Sequence, residues 1–196
     1  MERRPDRLKK PPTTDGPIAI RLARPTDARM IAQLHIRSWQ QAYRGQLPDS
    51  FLLELDDTLA RRITHWAALL DDSSQRGHRV LVAEHDGSLI GFVTFGPADG
   101  QPTDLKLGEV QAIYLDSAYW GRGFGRALFH AATEGLRDAG FNEAVLWVLE
   151  TNKRARRFYE SAGWKADGQT KTEKRGQVVL NDVRYGICLV DNPAAR

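Results

Sequence analysis

The sequence contains only one cysteine, Cys188, in 196 residues. A disulfide within the chain is therefore impossible. This cysteine usage is typical of a reducing compartment, so we expect a cytoplasmic location. Long apolar runs are also missing, since the longest covers residues 144–149 and a membrane helix needs about 20 such residues. The N-terminal residues include no apolar segment like that of a secretory signal. We therefore expect no membrane as a partner.

Metal-binding motifs are likewise missing. No two histidines have the HxxxH spacing, and no histidine is clustered with cysteine, so we expect no metal site. We expect Cys188, in the last strand, to be a small core residue. The histidines are His35, His65, His78, His85 and His130.

The excess of positive charge, a formal net charge of +3, is confined to the N-terminus. Residues 1–12 contain five basic and two acidic residues, and the rest of the chain has 23 of each sign. A nucleic-acid-binding domain usually has a basic face of its own, so we expect no nucleic acid as a partner. We interpret residues 1–17 as a flexible basic tail, residues 18–190 as a single domain, and residues 191–196 as a short C-terminal tail.

Hydrophobic periodicity predicts elements in the order β-α-α-β-β-β-α-β-α-β-β. Thr26 is the expected N-cap of the first helix, Asn152 the expected N-cap of the last, and Asp86-Gly87 marks a hairpin turn. Neighbouring strands in the middle must pair antiparallel. This predicts an α/β protein with a mixed, largely antiparallel sheet and helices on both faces. An exposed final strand would allow a homodimer. The strands are predicted at 18–22, 79–84, 89–95, 108–116, 144–149, 164–166 and 183–189.

Three alternating glycines, Gly121, Gly123 and Gly125, stand between a predicted strand and a predicted helix. Glycine permits a tight turn and a close approach of a ligand to the backbone, and the helix that follows presents unpaired amides. Arg122 and Arg126 add positive charge, so the segment predicts a phosphate or diphosphate site, although a plain turn with solvated arginines has the same spacing. The motif fits neither the Rossmann GxGxxG pattern nor a P-loop, which leaves a nucleoside-phosphate carrier such as coenzyme A.

A second segment, residues 146–164, carries the pattern Leu-x-Val-x-x-x-Asn-x-x-Ala-x-x-Phe-Tyr-x-x-x-Gly-Trp. Together with the Gly123-x-Gly125 turn, it resembles the GNAT superfamily of N-acetyltransferases, and the resemblance covers about residues 18–190. The family's turn usually begins with Arg or Gln, whereas this chain has Trp120 there. Because the phosphate contacts in this turn are mainly backbone amides, we expect that difference to alter details. The resemblance implies a GNAT-like fold, acetyl-CoA as co-substrate without a metal, and direct acetyl transfer to a primary amine.

The resemblance also implies roles for individual residues. The fourth strand would separate from the fifth to admit the pantetheine arm of the coenzyme, and backbone groups of Ile113 and Leu115 would pair with it. Glu109 would act as the base that deprotonates the amine, and Tyr159 as the acid that protonates the thiolate. From the residues alone, Glu109 is equally an exposed strand residue and Tyr159 a core aromatic. The implied contacts to acetyl-CoA are those of Ile113, Tyr114, Leu115, Gly121, Arg122, Gly123, Phe124, Gly125, Arg126, Asn152 and Phe158.

The resemblance also implies that the segment between the first two strands forms one wall of the acceptor site. Trp39 and Tyr43 lie one helical turn apart, so they can stack on an acceptor or bind an amine by cation–π contact, or else pack in the core. His35 lies on the same face, and we expect it to be a partly buried structural residue. The acceptor is a small-molecule or peptide amine that the sequence does not identify. A catalytically silent acyl-CoA-binding module and a nicotinamide-dependent dehydrogenase are the alternatives.

Overall fold

The computed structural model describes residues 16–71, 77–100 and 106–190, and all structural statements below refer to these residues. The predicted tails lie outside this part of the chain, except for residues 16 and 17. The helices are α1 (Ala28–Ala42), α2 (Asp49–Glu54), α3 (Leu59–Leu70), α4 (Phe124–Asp138) and α5 (Lys153–Ser161). The strands are β1 (Ala19–Leu22), β2 (Arg79–His85), β3 (Ser88–Pro97), β4 (Leu107–Leu115), β5 (Glu143–Leu149), β6 (Lys165–Arg175) and β7 (Val178–Cys188).

One seven-stranded sheet has the strand order β1-β2-β3-β4-β5-β7-β6. All neighbours pair antiparallel except β4 and β5, which are parallel. The prediction of a mixed, largely antiparallel sheet is confirmed. The order of the elements is also as predicted, except that three helices instead of two separate β1 from β2.

The helices cover both faces of the sheet. Successive strand residues point to opposite faces. On one face, Val82 and Phe92 pack with α1 and α3 in a single apolar cluster. On the other face, Ala83 and Val93 share a cluster with α4 and α5. Two cores of this kind hold the central strands rigidly between helices, which makes them a suitable support for a site at their ends.

Local turn chemistry sets several element boundaries. The hairpin between β2 and β3 turns at Asp86 and Gly87, both with positive φ, as the Asp-Gly dipeptide predicts. The predicted cap at Thr26 is wrong. Thr26 lies inside a short 3-10 turn at Pro25–Asp27, and Asp27 accepts a hydrogen bond from the Arg24 amide at 2.7 Å, so α1 begins only at Ala28.

The C-terminal hairpin departs from the sequence prediction in three ways. Strand β6 runs to Arg175 and is exposed along its whole length, so it shows no apolar alternation that could reveal it. Strand β7 lies between β5 and β6, so the final strand is not an exposed edge available to a second copy. Cys188 is exposed and not a core residue, whereas the next residue, Leu189, is buried.

No helix in the described segments is long and apolar enough to cross a membrane.

Candidate functional site

Strands β4 and β5 separate at the centre of the sheet. Their parallel pairing runs from Leu107 opposite Glu143 to Val110 opposite Leu146, although β4 continues to Leu115 and β5 to Leu149. Beyond these pairs the described residues contain no ladder between the two strands. The gap leaves backbone groups at the C-terminal ends of both strands open to a ligand. This confirms the separation of the fourth and fifth strands.

The glycine-rich turn follows β4 and starts α4. Gly121 and Gly123 have φ values of 77° and 83°, in the left-handed region that favours glycine. No side chain caps the helix, whose first backbone hydrogen bond runs from the Ala127 amide to the Gly123 carbonyl at 3.0 Å. The amides of residues 124–126 are therefore free to bind an anion at the positive end of the helix dipole.

The side chains in this turn divide into two groups. Arg126 and the glycines line the cavity described below, whereas the side chains of Arg122 and Phe124 do not. Phe124 packs against His85, with ring centroids 4.9 Å apart. The Arg122 guanidinium lies 5.5 Å from the Tyr119 ring centroid, and its Nη1 is buried without a hydrogen-bond partner in the described chain. Arg122 thus brings a cation to the glycine-rich turn, and one of its nitrogens has no hydrogen-bond partner among the described residues.

Trp120, where the family usually has Arg or Gln, is held by two contacts. Its indole N–H donates to the Leu115 carbonyl at 2.9 Å. The Arg154 guanidinium carbon lies 3.2 Å from the Trp120 ring centroid. Burial lowers the pKa of Arg154, and no carboxylate offsets that cost. The turn and the start of α5 are therefore joined by a cation–π stack that leaves a guanidinium available to a ligand.

A cavity of about 1040 Å³ joins this turn to the gap between β4 and β5. A cavity of this volume is large enough for a cofactor-sized ligand. Besides Arg126 and the three glycines, the predicted site residues that line it are Trp39, Tyr43, Glu109, Ile113, Tyr114, Leu115, Asn152, Phe158 and Tyr159. Apart from Arg122 and Phe124, the fold therefore brings every predicted site residue to one cavity.

Helix α5 positions Tyr159 at this cavity. The Asn152 side chain accepts a hydrogen bond from the Ala155 amide at 3.1 Å, so the predicted N-cap is confirmed. The Tyr159 ring is buried and packs on Phe129, with centroids 5.4 Å apart. Burial, and then the nearby Tyr114, raise the pKa of the Tyr159 hydroxyl. The phenol therefore stays protonated at neutral pH and has a proton to donate, although the raised pKa makes it a weaker acid than an ordinary tyrosine.

Glu109 lies on β4 beside a bulge. Thr94 pairs with Ala112 and Phe95 with Val110, so Gln111 is the extra residue between them. Burial raises the pKa of Glu109, and Lys171 opposes that shift. The Gln111 amide nitrogen contacts His78 Nδ1 at 3.1 Å, whereas its Oε1 is buried without a partner among the described residues. Glu109 and Gln111 thus bring a carboxylate and an unpaired carbonyl to the same cavity.

Helix α1 contributes an aromatic wall to the cavity. The Trp39 indole N–H donates to the Tyr114 hydroxyl at 2.7 Å, and the Trp39 and Tyr43 rings are 4.8 Å apart. Trp39 is buried and Tyr43 is half-buried, so both pack in the apolar interior and also line the cavity. His35 packs 4.7 Å from the Tyr114 ring and contacts Arg62. The ring is half-buried among these neighbours, as expected for a structural histidine, and burial and then Arg62 lower its pKa to about 3.

Sequence reasoning missed the cavity wall formed by β5, β7 and β6. Trp147, Asp182 and Lys171 line the cavity from these three strands. Only the tertiary order of the strands brings Lys171 there, because no motif or periodicity marks an exposed edge strand. Arg154, in contrast, lies inside the second motif and could have been noticed as a charged residue on the first turn of α5. The described residues contain no cluster of three or more His, Cys, Asp or Glu side chains placed to hold a metal.

Comparison with known proteins agrees with this geometry. A family model for the acetyltransferase (GNAT) family matches residues 33–164. The chain belongs to the GNAT acetyltransferase family. The match covers the aromatic wall, the glycine-rich turn and the second motif, so the predicted resemblance is confirmed.

Individual GNAT relatives resemble most of the chain. The protein named "Probable N-acetyltransferase Rv2775" of Mycobacterium tuberculosis is 29% identical over 157 residues, which are 80% of this chain and 85% of that protein. An uncharacterized N-acetyltransferase of Bacillus subtilis, YuaI, is 31% identical over 137 residues, 69% of this chain and 73% of its own. The chain thus resembles two proteins named as N-acetyltransferases over most of their length.

A solved structure shares the fold of this GNAT chain. The PaiA N-acetyltransferase of Thermoplasma acidophilum, solved in complex with coenzyme A, has a TM-score of 0.69 at 20% identity. The superposition covers 88% of this chain and 99% of that one. At this identity the likeness establishes the GNAT fold.

Proposed function

We propose that this protein is an acetyl-CoA-dependent N-acetyltransferase that transfers an acetyl group to a primary amine by direct attack in a ternary complex. The observation that carries the proposal is the single cavity. An uncapped helix start, a strand gap, a carboxylate at Glu109 and a phenol at Tyr159 all open to it. The coenzyme A complex of the structural relative supports the choice of donor.

The residues present fit the donor's diphosphate and its pantetheine arm. Free amides at 124–126, with Arg126 beside them, would bind the diphosphate through charge-assisted hydrogen bonds. The unpaired Arg122 Nη1 adds positive potential behind this cradle. Backbone groups of Ile113 and Leu115 at the strand gap would pair with the arm, and Phe158 and Asn152 would contact it from α5. The Leu115 carbonyl already accepts the Trp120 indole N–H, so this carbonyl has one lone pair left for the ligand.

Two side chains would manage the protons. An alkyl ammonium has a pKa of about 10 and cannot attack until it loses a proton, which Glu109 would accept directly or through water. The raised pKa of Glu109 makes it a stronger base than an ordinary carboxylate. Tyr159 would donate its proton to the departing sulfur. A backbone amide at the gap, by family resemblance that of Ile113, would stabilise the negative charge that develops on the carbonyl oxygen.

Trp39 and Tyr43 would form the aromatic side of the acceptor site. Their rings line the same cavity as Glu109 and can hold a cationic amine against their faces before it is deprotonated. The acceptor is thus expected to be a small molecule or a peptide end that fits beside an aromatic wall.

A panel of amines with detection of the free thiol tests this function. The expected result is acceptor-dependent thiol release that requires acetyl-CoA. If no amine in the panel releases thiol, calorimetry with acetyl-CoA shows whether the protein binds the donor without transferring the acetyl group or does not bind it at all. Binding without thiol release for any amine would favour a catalytically silent acyl-CoA-binding module, and absence of binding at millimolar ligand would overturn the donor assignment.

A further inference from the structure

Lys171 lines the cavity from the edge strand β6. It lies directly opposite Asp182 on β7, which in turn lies opposite Leu149 on β5. From there its side chain extends back over β5, where Nζ is 4.6 Å from the Trp147 ring centroid. Lys171 is exposed and lines the same cavity as Glu109 and Tyr159. The ammonium is therefore held against an aromatic face at the margin of the strand gap.

Three carboxylates interact electrostatically with this ammonium, and none of them forms a salt bridge with it in the described segments. Lys171 acts electrostatically on Glu109, Asp182 and Glu173, and it opposes the rise that burial causes in the pKa values of the first two. Glu173 is already bonded to Arg175. Lys171 forms no close ion pair with any carboxylate in the described segments. It is thus a primary amine near Glu109 with no salt bridge to restrain it.

This setting is the one that the proposed reaction requires of its acceptor. A primary amine lies against an aromatic ring and lines the same cavity as the candidate base Glu109 and the candidate acid Tyr159. We propose that Lys171 is a modification site, acetylated by the protein's own active site when no other amine occupies it. The inference rests on the proposed function and adds an acceptor from within the chain.

The step balances without any further reactant. The Lys171 ammonium gives one proton to Glu109, and its nitrogen then forms a C–N bond to the thioester carbon while the C–S bond breaks. The departing sulfur takes the proton of the Tyr159 hydroxyl. The second proton lost by the nitrogen restores Tyr159, so the products are an amide at Lys171, free thiol and one proton carried away from Glu109.

The test is peptide mass spectrometry of the full chain after incubation with acetyl-CoA at roughly pH 8 without an added amine. The expected result is a gain of one acetyl group, about 42 Da, on Lys171. Held close to the site, Lys171 should react at least about tenfold faster than a free surface lysine. Lys165 and Lys174 are the matched controls, because both are exposed residues of β6 and neither lines the cavity.

Measurements at several protein concentrations and with variants show whether the protein's own active site or spontaneous chemistry acetylates Lys171. At a fixed acetyl-CoA concentration the rate constant should be independent of protein concentration, since the active site and Lys171 belong to one chain. Glu109→Gln and Tyr159→Phe should each slow Lys171 acetylation at least about tenfold, Lys171→Arg should remove the mass shift, and Lys174→Arg should leave it unchanged. Equal acetylation of Lys171, Lys165 and Lys174, or equal rates in the Glu109 and Tyr159 variants, would mean spontaneous chemistry and would overturn the inference.

The same samples separate this inference from the proposed function. If the amine panel releases thiol while Lys171 stays unmodified, the inference is wrong and the N-acetyltransferase proposal stands. If calorimetry detects acetyl-CoA binding but neither thiol release nor acetylated Lys171 is found, both proposals fail and the silent binding module is favoured.

Discussion

The Arg154 guanidinium stacks on the Trp120 indole, with its central carbon 3.2 Å from the ring centroid. A cation–π contact contributes about 0.5–2 kcal/mol, and here it holds a cation beside the proposed diphosphate cradle. We expect Trp120→Leu and Arg154→Met each to weaken acetyl-CoA binding about 2- to 30-fold by calorimetry. The matched control is Arg157→Met, an exposed arginine of the same helix that does not line the cavity. An equal loss in the control would mean that general positive charge on α5, rather than the stack, is responsible.

Replacement of Tyr159 by Phe tests the acid. The hydroxyl makes no hydrogen bond to the described part of the chain, and the ring contact with Phe129 is retained, so the thermal midpoint should not change. We expect kcat to fall roughly 10²- to 10⁴-fold while the Kd for acetyl-CoA stays constant. Tyr185→Phe is the control, since its hydroxyl donates to Glu160 at 2.7 Å outside the cavity. That variant should lose about 1 kcal/mol of stability and keep its rate. Equal kcat values for the parent and Tyr159→Phe would remove Tyr159 from the mechanism.

Glu109→Gln should abolish the acidic limb of the pH–rate profile, since the base works only when it is deprotonated. The same substitution should raise the stability of the fold at neutral pH. Burial raises the pKa of Glu109 above its ordinary value of 4.5, so the folded state favours the protonated carboxyl. That contribution is fully present below about pH 4.5 and is lost as pH rises through the folded pKa. The Gln variant should therefore melt higher than the parent at neutral pH, and the difference should disappear in acid. An unchanged acidic limb would indicate a different base.

Gly123→Val should remove acetyl-CoA binding. Gly123 has a φ of 83° and starts α4, so a β-branched side chain would be strained there and would fill the open space beside the free amides. Gly125→Ala is the control, because its Cβ would make ordinary contacts at 3.8 Å with Leu115 and Phe158. We expect a loss of at least about 10²-fold for the valine variant and a few-fold change for the alanine variant, measured by calorimetry on samples with native circular dichroism. Normal affinity in the valine variant would contradict the assignment of the turn.

His35 should make the fold sensitive to acid. Burial and Arg62 lower its pKa from 6.5 to about 3, so folding favours the neutral ring. The resulting stability is present above about pH 6.5 and is lost as pH falls toward 3, by roughly 4 kcal/mol over that window. Denaturant unfolding at several pH values should show this slope in the parent and a flatter one in His35→Phe. Parallel slopes for the parent and His35→Phe would mean that other groups cause the acid sensitivity.

The elements that sequence alone predicts are those whose signals are local. The Asp86-Gly87 turn, the Asn152 cap and the glycine-rich turn each depend on the chemistry of a few adjacent residues, and the structure forms all three.

The features that sequence did not predict depend on distant parts of the chain. Trp39 and Tyr114 are 75 residues apart, so their hydrogen bond follows only from the packing of α1 on β4. Lys171 reaches Trp147 because β7 inserts between β5 and β6, an order that no periodicity encodes. The candidate donor site could thus be assigned from motifs, whereas most of the acceptor wall could not.

The outer strand β6 also limits how two copies of this chain can meet. Its exposed side chains include four cations, Lys165, Lys171, Lys174 and Arg175, and two carboxylates, Asp167 and Glu173. Charged side chains along an edge strand oppose continuation of the sheet into a second molecule unless the register places opposite charges together. Self-association of this acetyltransferase through β6 is therefore disfavoured in every register that brings like charges opposite one another.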